Sequence, residues 1–119
     1  MSMLKGQLIL VIEDEPIIAL ALEDILVDAG ADVVGPANTV SRALELAATP
    51  GLTAAIVDLR LRNQSAHPVV ERLVQRGVPF VFLSGQADDE AAKAWPNAPR
   101  LVKPARPQAI IEALAALGK

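Results

Sequence analysis

At 119 residues with 52% hydrophobic content, the chain is expected to form one domain around a single packed core. Its formal charge of -3, from 14 acids against 11 bases, offers no basic surface for nucleic acid or anionic lipid, so direct nucleic-acid binding is not expected. The absence of cysteine excludes a disulfide framework and a thiolate metal site, "MSMLKGQ" does not read as a signal peptide, and no apolar run approaches bilayer length, so a soluble cytoplasmic protein with no membrane contact is expected.

The first apolar run, "QLILVI", has strand length and ends in three acids, Glu13, Asp14 and Glu15. Pro16 then suits the first turn of a helix in which Ile17, Ile18, Ala21, Leu22, Ile25 and Leu26 form one wide apolar stripe, closed by Gly30. "ADVVG" reads as a second strand, with Gly35 and Pro36 as the turn after it. A second helix begins at Thr39 or Ser41, carries Val40, Ala43, Leu44 and Ala47 inward, and is broken by Pro50 and Gly51. "TAAIVDL" is the third strand, ending at Asp58, and a helix from about His67 to Gln75 follows and stops at Gly77.

The fourth strand, "PFVFLS", ends at Ser84. A fourth helix has only "QADDEAAKAW" to draw on before Pro96 and Pro99. The fifth strand, "RLVK", ends at Lys103, and the fifth helix starts at Pro107 with Ile110, Ile111, Leu114 and Leu117 on one side. Strand and helix thus alternate five times, the pattern of an α/β fold with a parallel sheet, helices on both faces and right-handed crossovers.

Ligands of open parallel sheets bind beyond the carboxyl ends of the strands. The residues there are Glu13, Asp14 and Glu15, then Asp58, Ser84 and Lys103. Carboxylates from two adjacent strand ends make an oxygen-rich pocket suited to a hard divalent cation, Mg²⁺. Asp58 is the natural nucleophile, since an aspartate carboxylate can accept a phosphoryl group, while Ser84 and Lys103 can supply a hydroxyl and a positive charge to its oxygens. Each residue alone has a plainer reading: acids at a helix start favour the macrodipole, and Ser-Gly is commonly a turn. Their order and spacing set them apart.

These strings, "VIEDEP", "AAIVDLRL", "FVFLSG" and "LVKP", resemble a receiver domain of the response regulators in two-component signalling, over about residues 8–117 of a single domain 1–119. "FLSG" is similar to the Thr-Gly motif of a subset of alphaproteobacterial receivers, which are often stand-alone. The resemblance implies a doubly wound, flavodoxin-like five-stranded parallel sheet of order 2-1-3-4-5, the strand order of the chemotaxis member of that family. It implies phosphorylation at Asp58 by a sensor histidine kinase or histidine phosphotransfer protein, Mg²⁺ held by Glu13, Asp14, Asp58 and the main-chain carbonyl of Arg60, and phosphoryl contacts from Ser84 and Lys103. The output would be a conformational switch acting on a partner protein, not turnover of an external substrate, and a homodimer would use the fourth and fifth structural units. The alternative is an adaptor that binds its partner without phosphorylation.

The sequence departs from the family at several places. Arg100 stands three residues before the lysine, where receivers usually carry an aromatic switch residue; Gly85 replaces the commoner Ala, and Ala105 the frequent Phe. Arg60 and Gln86, each two residues past a site residue, are candidates for tuning phosphorylation lifetime, as is Arg100. His67 reads as an exposed helix-start residue and Trp95 as a local packing anchor.

Overall fold

In the computed structural model, residues 3–62, 64–85 and 93–117 are described. Five strands form one parallel sheet: β1 (Leu8–Ile12), β2 (Asp32–Ala37), β3 (Ala54–Asp58), β6 (Phe80–Ser84) and β7 (Arg100–Val102), in the order β2-β1-β3-β6-β7. A short antiparallel hairpin of β4 (Arg60–Leu61) and β5 (Gln64–Ser65) lies outside that sheet. Once the hairpin is set aside, the order is the expected 2-1-3-4-5. The helices are α1 (Pro16–Asp28), α2 (Val40–Leu46), α3 (His67–Gln75) and α4 (Pro107–Ala116). The fourth helix expected from "QADDEAAKAW" falls largely outside the described residues, so α4 is the fifth helix of the sequence pattern.

Alternation along each strand divides the core into two layers. Leu10, Ile12, Ala55, Val57 and Phe82 point to the side covered by α2 and α3. Ile9, Val11, Ala54, Ile56, Val81 and Leu83 point to the side covered by α1 and α4. β3 is buried at every position, as a central parallel strand covered on both faces must be. This doubly wound arrangement brings the carboxyl ends of β1, β3, β6 and β7 to one edge.

Two expectations need correction. Within the stripe read for α1, Leu22 and Leu26 are buried, but Ile17 is 83% exposed and Ala21 also faces outward. Ala19 and Ala29 are buried instead. The helix is apolar around most of its circumference, so periodicity does not determine which arc meets the sheet. Second, Gly35 and Pro36 do not follow β2 but lie inside it. The β1–β2 register runs Leu10 to Val34 and then Ile12 to Ala37, so β2 carries one extra residue. As an edge strand, β2 tolerates both a missing proline N–H and a bulge. The strand resumes in time for Ala37 O to accept from Glu13 N at 2.9 Å, which holds the start of the acidic cluster against the sheet.

Among the described residues, no helix is long and apolar enough to cross a membrane.

Gly35 has φ +100°, and a Cβ there would stand 2.8 Å from Val11 O and 2.9 Å from Ala37 N, both backbone atoms that cannot move aside. Gly35→Ala should therefore destabilise the fold by about 2–3 kcal/mol, more than the roughly 1 kcal/mol expected for Gly77→Ala, where φ is also positive but nothing lies within 4 Å. Urea denaturation of the two variants tests the order.

Candidate functional site

Asp58 ends β3 with its side chain nearly buried. Its Oδ1 accepts from the backbone N–H of Arg60 at 3.2 Å, and its Oδ2 accepts from Lys103 Nζ at 3.1 Å. Glu13 and Asp14 follow β1, which lies beside β3 in parallel register. One oxygen from each of Glu13, Asp14 and Asp58 falls within a group no more than 4.8 Å across. Three carboxylates this close repel one another unless a cation or a proton intervenes.

Lys103 supplies one such cation. It follows β7, where its backbone N–H donates to Ser84 O at 2.8 Å, tying the ends of β6 and β7 together. Its Nζ lies 2.8 Å from Glu13 Oε1, 3.1 Å from Glu15 Oε1 and 3.1 Å from Asp58 Oδ2. Burial disfavours the ammonium, but Glu13 and Asp58 outweigh it and hold the Lys103 pKa above the ordinary lysine range. The 2.8 Å contact sets the ammonium directly against Glu13 Oε1, which is fully buried. Burial above all, with Asp58 beside it, raises Glu13 from 4.5 to about 7 against the opposing pull of Lys103.

Asp14 shows the opposite balance. Burial works against its charge, but the backbone N–H of Arg62 donates to Oδ2 at 2.9 Å and the carboxyl is held below its usual pKa. Arg62 has φ +47°, the left-handed conformation at the tip of the β4–β5 hairpin. Neither the hairpin nor this contact was legible in the sequence: "RLRNQS" has no glycine to mark a turn, and the bond links residues 48 apart.

The structure thus brings Glu13, Asp14, Asp58 and Lys103 together, with the backbone N–H of Arg60 against Asp58. Ser84 is buried at the end of β6, register-paired with Val102. Arg100 lies exposed at the start of β7, paired with Phe82, a strand's length before Lys103. Gln86 lies outside the described residues. Glu15, grouped by sequence with the other acids, is not in the three-carboxylate cluster but contacts Lys103. His67 begins α3 half-exposed, and its ring packs 4.7 Å from that of Trp95, which also meets Phe80 and Phe82; Trp95 is the anchor expected of it.

The donor set fits a hard divalent ion: Glu13, Asp14 and Asp58 each offer a carboxylate oxygen within 4.8 Å of the others, and Lys103 alone carries less positive charge than the three carboxylates carry negative.

A parallel five-stranded sheet with an acidic cluster and a lysine at its carboxyl edge is the arrangement expected of a receiver domain of two-component signalling. The response regulator receiver domain model matches residues 9–115, and the chain belongs to that family. It is 41% identical to SdrG from Sphingomonas melonis Fr1, with 97% of each chain covered and a TM-score of 0.81. Against the BeF₃-activated conformation of SdrG from Pseudomonas melonis Fr1, identity is 39%, coverage 96% of this chain and 98% of that one, and the TM-score 0.76. It is also 35% identical over 79 residues to the phyllosphere-induced regulator PhyR of Methylorubrum extorquens, covering 64% of this chain but 30% of that regulator. The chain therefore spans less than a third of that relative.

The Glu13 shift has a defined consequence for stability. Between pH 4.5 and about 7 the folded, metal-free protein retains a proton that the unfolded chain has lost, so stability falls as pH rises through that window and the full cost is present above it. In EDTA, the melting temperature should drop by several degrees from pH 5 to pH 7.5, and Glu13→Gln should flatten the profile. Thermal denaturation followed by circular dichroism across that range checks both.

Proposed function

We propose that the chain is a phospho-acceptor switch, with Asp58 receiving a phosphoryl group from a phosphohistidine of a sensor kinase or phosphotransfer protein. The observation that carries this reading is the placement of Lys103 Nζ 3.1 Å from Asp58 Oδ2, beside carboxylates with the donor set of a divalent-ion site. Family membership supports it, as does the existence of a BeF₃-activated conformation of SdrG, because beryllofluoride mimics a phosphoryl group on a carboxylate.

In the transfer, a carboxylate oxygen of Asp58 bonds to phosphorus while the P–N bond of the donor breaks and the imidazole nitrogen keeps the electron pair. The backbone N–H of Arg60 on Oδ1 orients the carboxylate. Lys103 offers its charge to the oxygens of the incoming group. Glu13, Asp14, Asp58 and the Arg60 carbonyl would hold Mg²⁺, which would neutralise charge on the phosphoryl oxygens.

Ser84, buried at the end of β6, is positioned by sequence to contact the phosphoryl group, and its backbone is already coupled to Lys103 through Ser84 O. Phosphorylation would shift the β6 and β7 ends together and be read by a partner protein. Arg100 replaces the usual aromatic at an exposed place on β7 and would tune this readout, while Arg60 and Gln86 would tune the lifetime.

Titration with beryllofluoride, with and without Mg²⁺ and followed by amide NMR shifts, tests the reading. Saturable, Mg²⁺-dependent shifts at Asp58, Ser84 and Lys103 are expected in wild type and should be absent in Asp58→Asn. No response in wild type would discard the phospho-acceptor reading in favour of a phosphorylation-independent adaptor.

A further inference from the structure

Glu15 occupies the N-cap of α1, yet its side chain makes no capping hydrogen bond. Favoured caps are shorter side chains whose oxygens reach back to the first turn, so capping does not account for a glutamate here. Its backbone N–H donates to Glu13 Oε2 at 3.2 Å, and its carboxylate turns away from the helix to accept from Lys103 Nζ at 3.1 Å. Removing the carboxylate's charge would leave that backbone bond intact.

An ammonium has three protons and no acceptor. At Lys103, three carboxylates already lie within 3.1 Å: those of Glu13, Glu15 and Asp58. A phosphoryl oxygen that takes this nitrogen must therefore compete with them for it. Glu13 is fully buried and Asp58 carries the incoming group itself. Glu15 is different, because its side chain is 59% exposed and water can replace the ammonium around it.

We propose that Glu15 is a competing counter-charge on Lys103 that the phosphoryl group displaces, and that it thereby restrains the loading of Asp58. This rests on the phospho-acceptor reading above. Two arguments give the direction. Lys103 does not need Glu15 for its position, since Glu13 and Asp58 hold it from the buried side. Glu15 also opposes the arriving anion: its Oε1 and Asp58 Oδ2 touch the same nitrogen at 3.1 Å, so they lie no farther apart than twice that distance, well inside the screening length of physiological salt. Removing the negative charge therefore gains more than loss of the contact costs.

The test compares beryllofluoride affinity of the full chain at saturating Mg²⁺ in wild type, Glu15→Gln, Glu15→Asp and Asp24→Asn. Asp24 is an exposed acid of the same helix, so its variant loses the same charge away from Lys103. Glu15→Gln should bind about three- to tenfold more tightly, with the gain shrinking at about 0.5 M salt. Glu15→Asp, which keeps the charge and shortens its reach, should fall between wild type and Glu15→Gln, and Asp24→Asn should match wild type.

Equal or weaker binding by Glu15→Gln, while wild type binds, would overturn the inference and leave the phospho-acceptor reading standing. An equal gain in Asp24→Asn would overturn it as well, by reducing the effect to overall charge. Failure of wild type and Glu15→Gln alike to bind would remove both readings. Melting curves with EDTA verify that each variant is folded.

Discussion

The carboxyl edge of this molecule depends on one ammonium. Lys103 sits among carboxylates delivered by β1 and β3, and without its charge these acids would face one another across a few ångströms of largely dry space. Burying such a group is costly unless its charges are compensated, and a single lysine does not neutralise all of them. The raised pKa of Glu13 is the visible remainder of that imbalance. The site is therefore short of positive charge, which is the condition under which a divalent ion binds.

The sheet is what makes this arrangement possible. Parallel strands place all their carboxyl ends on one side, and doubly wound connections cover both faces with helices, leaving that edge open. The fully buried β3 carries Asp58 to its end as a rigid support. Lys103 is secured twice, by its backbone bond to Ser84 and by its side-chain contacts. Asp58 is thus linked to the end of β6 through a bonded path, from its Oδ2 to Lys103 Nζ and from Lys103 N–H to Ser84 O. On the opposite layer from α1, the chain's three aromatic residues gather with His67, so the segment leading into β7 is anchored to the core through Trp95.

Much of this was legible beforehand. The strand runs, the span of α3 and the ends of the strands at Asp58 and Ser84 follow from apolar runs interrupted by polar residues and by proline or glycine, while the last strand ends at Val102, one residue before the expected Lys103. What failed to show has identifiable causes. The outward placement of Ile17 was hidden because α1 is apolar on nearly every side. The inclusion of Gly35 and Pro36 in β2 was hidden because both residues ordinarily mark turns, and only the edge position of β2 makes them tolerable within a strand. The β4–β5 hairpin was hidden because its turn at Arg62 lacks glycine.

The sequence by itself determined the class of fold and the chemical inventory of the site, because alternating apolar runs dictate burial and because the reactive side chains all stand where strands end. Tertiary structure alone decided how that inventory is divided. Glu13, Asp14 and Glu15 are neighbours in the chain and look equivalent there, yet one is buried with a raised pKa, one is bound by the Arg62 backbone, and one reaches from an exposed helix start to Lys103. Their separate roles arise from contacts with residues 48 and 88 positions away, and local pattern contains no information about partners at that distance.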